Sequence, residues 1–241
     1  MKNTCVIGKS DALLLTDIQI DFLPGGALPV AGGEETIPVL NDYIQRFETA
    51  GNVLASRDWH PATHISFKAQ GGQWPPHCVQ NTKGAEFSPK LKLPKNTIII
   101  SKATDPNREA YSAFDGTNLL KDLSKLGIKR LFIGGLATDY CVLNTVLDAR
   151  EFGFETLVLM DATRGIDVKP GDVDRAIKAM VKSGAAQVTV ADFADFADDL
   201  PIEEEASDAL SEKSSMLNAG KKKARMRSKG SNGQVKTEHK S

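Results

Sequence analysis

Short apolar runs of strand length alternate along the chain with longer segments whose apolar residues recur at helical spacing. The runs are "ALLLTD" ending at Asp17, "NVLASRD" at Asp58, "TIIISK" at Lys102, "RLFIGG" at Gly135 and "TLVLMD" at Asp161, with a weaker "QVTVADF" from Gln187. Uninterrupted apolar strands suit a parallel sheet covered on both faces, where neither side of a strand meets water. Between the runs, Ile37, Leu40, Tyr43, Ile44 and Phe47 mark a helix stopped at Gly51, and Leu119, Leu120, Leu123 and Leu126 mark a second, closed by Gly127. A third runs from near Asp139 to Gly153, and a fourth carries Val173, Ile177, Met180 and Val181 up to Gly184. This alternation predicts an α/β fold: a single-domain, open, mostly parallel β-sheet flanked by helices on both faces.

Two stretches break the alternation. The segment from Trp59 to Asn96 is rich in Pro, Gly and polar residues and too long for an idle connection, so a functional loop is expected there. From Asp198 the composition turns acidic up to Glu212 and then basic to the end, with few apolar residues and no sustained period. The expected division is one folded domain over residues 1–197 and a disordered, acidic-then-basic tail over 198–241.

Composition narrows the partners. A formal net charge of -1 over 241 residues gives the domain no polyanionic partner, so no nucleic acid is expected for it. Three widely spaced cysteines, Cys5, Cys78 and Cys141, argue against a disulfide framework and for a reducing, cytoplasmic setting. No apolar run approaches the length of a membrane span, and the N-terminal "MKNTCVIGKSD" lacks the core of a signal peptide. The "KKKARMR" run from Lys221 to Arg227 reads first as a solvated charge run, with a nuclear address or an anion-binding patch as the alternative. A homo-oligomer is left open.

In open α/β sheets, ligands bind beyond the carboxyl ends of the strands. There the chain places Asp17, Asp58 and Lys102 at three strand ends, and Cys141 at the start of the helix after a fourth. An ammonium and a helix N-terminus would both lower the thiol pKa toward the reactive thiolate, making Cys141 a plausible nucleophile. Asp17 could take its proton and pass it to a leaving group, with Lys102 as electrostatic partner. The Gly-rich "GGLATDYC" offers backbone N–H groups for an oxyanion.

Three of the four histidines and both tryptophans fall in "RDWHPATHISFKAQGGQWPPHC". Asp58, His60 and His77 supply one carboxylate and two imidazoles, a set that suits a divalent metal, zinc first, with iron or manganese as alternatives, and leaves positions open for water or substrate. His64 is favoured as a supporting residue over a fourth ligand, and Cys78 as structural. Phe22, Trp74 and Tyr111 lie in loops where a flat ring could be sandwiched, although each could equally be core.

The motifs "DIQIDF", "RDWHP…HISF", "WPPHCVQNTKGAEF", "SKAT…EAYSAF" and "GGLATDYCV" closely resemble those of the nicotinamidases, within the isochorismatase-like cysteine hydrolase superfamily, from about Asp11 to Phe193. The resemblance implies the isochorismatase-like hydrolase fold and hydrolysis of nicotinamide to nicotinate and ammonia, a step of NAD salvage. It implies Asp17, Lys102 and Cys141 as the catalytic triad and Asp58, His60 and His77 as metal ligands, with the metal holding the pyridine nitrogen. It also implies ring contacts from Phe22, Trp74 and Tyr111, an oxyanion hole from the backbone of Ala137 and Cys141, and a cis peptide between Leu136 and Ala137. Where some relatives use an additional His or Glu ligand, Ser66 stands at the corresponding position, which points to a water or a weaker oxygen contact.

Three rivals remain at this level. Another amide hydrolase of the same superfamily would keep the fold, but Cys141 together with Asp58, His60 and His77 weighs against isochorismatase-like and carbamoyl-amide hydrolases. Related aza-aromatic amides such as pyrazinamide would fit the same pocket. A non-catalytic metal-binding redox sensor would bind metal and release no ammonia.

Overall fold

A computed structural model of the protein describes residues 5–193, apart from the side chains at positions 49 and 50. The expected tail, its basic run and the boundary before it lie outside the described residues. Six strands, β1 (Asp11–Thr16), β2 (Asn52–Asp58), β3 (Ile98–Lys102), β4 (Arg130–Leu136), β5 (Glu155–Arg164) and β6 (Ala186–Val188), form one sheet in the order β3-β2-β1-β4-β5-β6. Every neighbouring pair is parallel. Of the weak run from Gln187 only Gln187 and Val188 join a strand, the short edge strand β6, and Val190–Asp192 form a 3-10 turn instead.

Strand order reverses at β1, so the crevice where loops diverge opens beyond the ends of β1 and β4. Four helices cover the sheet: α1 (Thr36–Ala50), α2 (Leu119–Lys125), α3 (Leu143–Glu151) and α4 (Asp172–Lys182). Alternate residues of β1 enter two separate cores, as the pleat requires. Leu13 and Leu15 pack in the cluster that holds Ile37, Leu40 and Phe47 of α1, whereas Ala12 and Leu14 pack with Leu119, Val146 and Met180 of α2, α3 and α4. All six residues of β1 are buried, which is why its sequence shows no polar alternation.

Two helical stripes are narrower than expected. In α2 only Leu119 and Leu123 are buried, while Leu120 and Leu126 are each 39% exposed, because a helix this short turns a single i, i+4 pair to the sheet. In α4, Met180 is buried and Val181 lies outward. No helix among the described residues is long and apolar enough to cross a membrane.

Candidate active site

The chain leaves β1 at Thr16, and Asp17 turns off it with φ 52, a left-handed backbone that Asp tolerates better than most residues. Asp17 is fully buried, and its Oδ1 accepts a hydrogen bond from Ser56 Oγ of β2 at 2.7 Å. Its Oδ2 faces the buried Lys102 Nζ at 3.0 Å. Asp58 and Lys102 are register partners at the ends of β2 and β3, which sets Lys102 Nζ 2.5 Å from Asp58 Oδ1. The same ammonium donates to Cys141 Sγ and to the Ala110 carbonyl, each at 3.3 Å. Three protons thus serve four acceptors delivered by separate segments of the chain.

Burial would strip Lys102 of its proton, but Asp17 and Asp58 outweigh it and hold its pKa well above the ordinary lysine value. Asp58 is pushed up by burial and, more strongly, down by Lys102 and the two histidines, so it stays ionised. For Asp17 burial outweighs Lys102, and its pKa rises. The thiol departs from the sequence expectation. Burial first, and then the carboxylates Asp17 and Asp58, raise the Cys141 pKa well above the free value against the pull of Lys102. Cys141 also sits in a π-helical turn, Thr138–Val142, ahead of α3 rather than at the start of that helix. The resting group is therefore a thiol beside a carboxylate able to take its proton.

Asp58, His60 and His77 are buried, and one ligand atom from each lies within 4.8 Å of the others. His60 Nδ1 bonds to the His77 carbonyl at 3.0 Å and His77 Nδ1 to the Pro75 carbonyl at 2.8 Å. A carbonyl only accepts, so each neutral ring carries its proton on Nδ1 and its lone pair on Nε2. Both Nε2 atoms face the Asp58 carboxylate at 4.0 Å. Burial pulls the His60 pKa down to about 4, so this ring is neutral and needs no deprotonation to bind a cation. Two oriented imidazole nitrogens and one carboxylate fit a divalent metal. His64 does not share that orientation. Its Nδ1 bonds to Ser66 Oγ at 2.8 Å and its Nε2 to the Arg108 carbonyl at 3.0 Å, which leaves it supporting the loop. Cys78 is buried and its backbone N–H donates to Asp21 Oδ2.

One cleft joins Cys141 to the cation cluster. Phe22, Trp74 and Tyr111 line it, with Trp74 Nε1 donating to the Tyr111 hydroxyl at 3.1 Å and Phe22 5.5 Å from the His77 ring. Ala137 lies on the wall beside Cys141, after a cis Leu136–Ala137 peptide. The turn into it depends on Gly135, at φ 124, where a Cβ would stand 2.1 Å from the Thr16 carbonyl oxygen.

The isochorismatase-domain pattern matches residues 11–192. The chain belongs to the isochorismatase family. A nicotinamidase of Escherichia coli is 40% identical over 204 residues, covering 76% of this chain and 96% of its own. The crystal structure of a Pyrococcus horikoshii pyrazinamidase in complex with zinc is 52% identical with a TM-score of 0.72, covering 75% of this chain and 99% of its own. An L. infantum protein, PnC1, in complex with nicotinate is 32% identical with a TM-score of 0.74, covering 79% and 98%.

Within this isochorismatase-family site, several residues escaped sequence reasoning. Tyr140 lines the cleft and packs edge-on against Trp74 at 5.1 Å; its adjacency to Cys141 was the available signal. Gln19 is fully buried, takes the Asp58 N–H on its Oε1 at 2.8 Å and donates to the Asp58 carbonyl at 2.7 Å, so it fixes the backbone of a candidate ligand. A polar residue inside "DIQIDF" hinted at it. Leu28 and Ile166 complete the aliphatic lining from loops with no periodic signal.

Proposed function

We propose that this protein is a nicotinamidase, hydrolysing the carboxamide of nicotinamide, and of related aza-aromatic amides such as pyrazinamide, to the carboxylate and ammonia. The observation that carries this reading is the single buried ammonium of Lys102 touching Asp17 and Cys141, with Cys141 opening on a cleft that also holds the cation cluster. The relatives named for these activities support it.

Asp17 takes the thiol proton as the Cys141 sulfur bonds to the amide carbon, and the carbonyl electron pair moves to oxygen. The backbone N–H groups of Ala137 and Cys141 hold that oxyanion, and the Lys102 charge keeps Asp17 and the sulfur in register. Collapse breaks the C–N bond, and Asp17 returns its proton to the departing nitrogen, giving ammonia and a thioester. Asp17 then takes a proton from water as the water oxygen bonds to the thioester carbon, and it returns that proton to sulfur as the C–S bond breaks; the acid released gives up its remaining proton to solvent as the carboxylate. Phe22, Trp74 and Tyr111 hold the ring. Asp58, His60 and His77 would hold a divalent ion, zinc first with iron or manganese as alternatives, which when bound supplies a Lewis-acid anchor for the ring nitrogen. The free thiols of Cys5, Cys78 and Cys141 favour a reducing, cytoplasmic setting, and the family match ending at residue 192 favours residues 1–197 as the catalytic domain.

The test is ammonia release from nicotinamide by purified protein, by Cys141→Ala and by a chelated sample. Release by the parent, none by Cys141→Ala, and loss on chelation restored by zinc are expected. No ammonia from the reduced, zinc-loaded parent would sink the assignment, and metal binding without ammonia would favour a sensor.

A further inference from the structure

The loop after β5 carries a cleft wall that is fastened to the nucleophile's own turn. Ile166 lines the cleft from a segment with no regular structure, and such segments ordinarily yield to a ligand. Here two successive backbone donors, Ile166 N–H and Asp167 N–H, bond to the two carboxylate oxygens of Asp139 at 2.9 and 2.8 Å. Asp139 stands two residues before Cys141. Gly165 lets the chains approach that closely, since a Cβ there would lie 2.3 Å from Val173 and 2.9 Å from Asp139 Oδ1. Thr138 Oγ1 and Thr163 Oγ1, 2.8 Å apart, tie the same two segments together a second time. Asp167 in turn accepts from Val173 N–H of α4 at 3.2 Å.

From this we infer that Ile166 is a specificity-determining residue, limiting the substituents a ring can carry in the cleft, and that Asp139 is the positioning residue that fixes it relative to Cys141. The inference rests on the nicotinamidase reading. A β-branched side chain has few rotamers with which to yield, and its backbone is pinned to the turn that presents the sulfur. Tyr140, between Asp139 and Cys141, faces the cleft from that turn, so the fastened segments together bound the space beside the nucleophile.

The experiment measures kcat/KM for nicotinamide and for each of its ring-methylated derivatives with the parent, Ile166→Ala, Asp139→Asn and, as a comparison wall, Leu28→Ala. The readout is the ratio of methylated to unmethylated substrate, in which a general loss of activity cancels. Ile166→Ala is expected to raise the ratio about 10-fold at one ring position, and Asp139→Asn to raise it at that same position through a loosened wall. Ratios unchanged at every ring position in Ile166→Ala would overturn the specificity role. A change in Ile166→Ala without one in Asp139→Asn, or the same position relaxed equally by Leu28→Ala, would overturn the Asp139–Ile166 pairing. Absence of ammonia from nicotinamide itself would instead sink the underlying amide reading.

Discussion

Lys102 Nζ stands 3.3 Å from Cys141 Sγ, yet the sulfur beside this ammonium is a thiol at rest. Burial is the first reason, since it penalises the anion. Asp17 and Asp58, which lie closer to the ammonium than the sulfur does, add negative charge beside the sulfur and offset the pull of Lys102. The arrangement suits a proton moved during attack rather than before it. Once Asp17 accepts the proton, one carboxylate charge next to the sulfur is gone, and the ammonium stabilises the thiolate that forms.

Thiol titration gives the first check. Alkylation of Cys141 by iodoacetamide in the substrate-free protein, followed on its own peptide, is expected to keep rising past pH 9, the free-thiol region. A plateau near neutral pH would show a resting thiolate. The acid limb of kcat/KM has the opposite sense. Asp17 must be ionised to take the proton, and its raised pKa means that activity declines, as pH falls, at a pH above the ordinary 3.8.

Removing the shared cation tests the network as a unit. Lys102→Met leaves Asp17 and Asp58 buried near each other with no counter-charge. Breaking a buried ion pair from one side costs about 3 to 5 kcal/mol, so the urea midpoint should drop. Activity should fall by at least about 10²-fold, the scale of losing one preorganised charge contact. Lys102→Arg should not restore it, since a planar guanidinium cannot converge on these four acceptors as a point charge does. Unchanged stability would contradict a buried ion pair between Lys102 and the ionised Asp58.

Part of this site was legible because Asp17, Asp58 and Lys102 sit where apolar runs stop. Asp58 and Lys102 ended predicted strands and turned out to be register partners, and a strand end is a position that periodicity can read. The pairing of α1 with one sheet face followed from the same logic. What remained hidden came largely from loops. Ile166 and Leu28 line the cleft from segments without regular structure, and Asp139 acts by accepting backbone N–H groups of one of them, which leaves no period in the sequence. The thiol's protonation was misread for a related reason. A strand-end amine was visible, but the full burial of the sulfur, and the two carboxylates beside it, depend on packing that only the fold supplies.

The cation cluster makes its own prediction about protonation. In metal-free protein, the His60 ring should titrate near pH 4 by NMR and show the proton on Nδ1 at neutral pH. Burial favours the neutral ring, so the unfolded chain binds more protons than the folded one between about 4 and the ordinary 6.5. Stability of the metal-free protein should therefore decline as pH falls through that window. A His60 midpoint above 6 would contradict the buried, lone-pair-ready geometry.

Asp21 links the ring wall to the cation loop, and this link can be strained without touching either. Its Oδ2 accepts from Cys78 N–H at 2.7 Å, next to His77, and its Oδ1 from Ala27 N–H at 3.2 Å, in the loop between Phe22 and Leu28. Gly84 leaves room for that carboxylate, and a Cβ there would fall 2.2 Å from Asp21 Oδ2. Gly84→Ala must therefore displace Asp21 and loosen both attachments. The expected outcome is a zinc affinity lowered about 10-fold, the scale seen when supporting contacts behind a metal ligand are lost, together with a raised KM for nicotinamide. Asp21→Asn keeps the shape and still accepts one of the two hydrogen bonds, so its effect on both quantities should be smaller and in the same direction. Chelator competition and steady-state kinetics on the same preparations decide it: if zinc affinity holds in Gly84→Ala while KM rises, the two walls are independent, because the displacement would then have reached Phe22 without reaching His77.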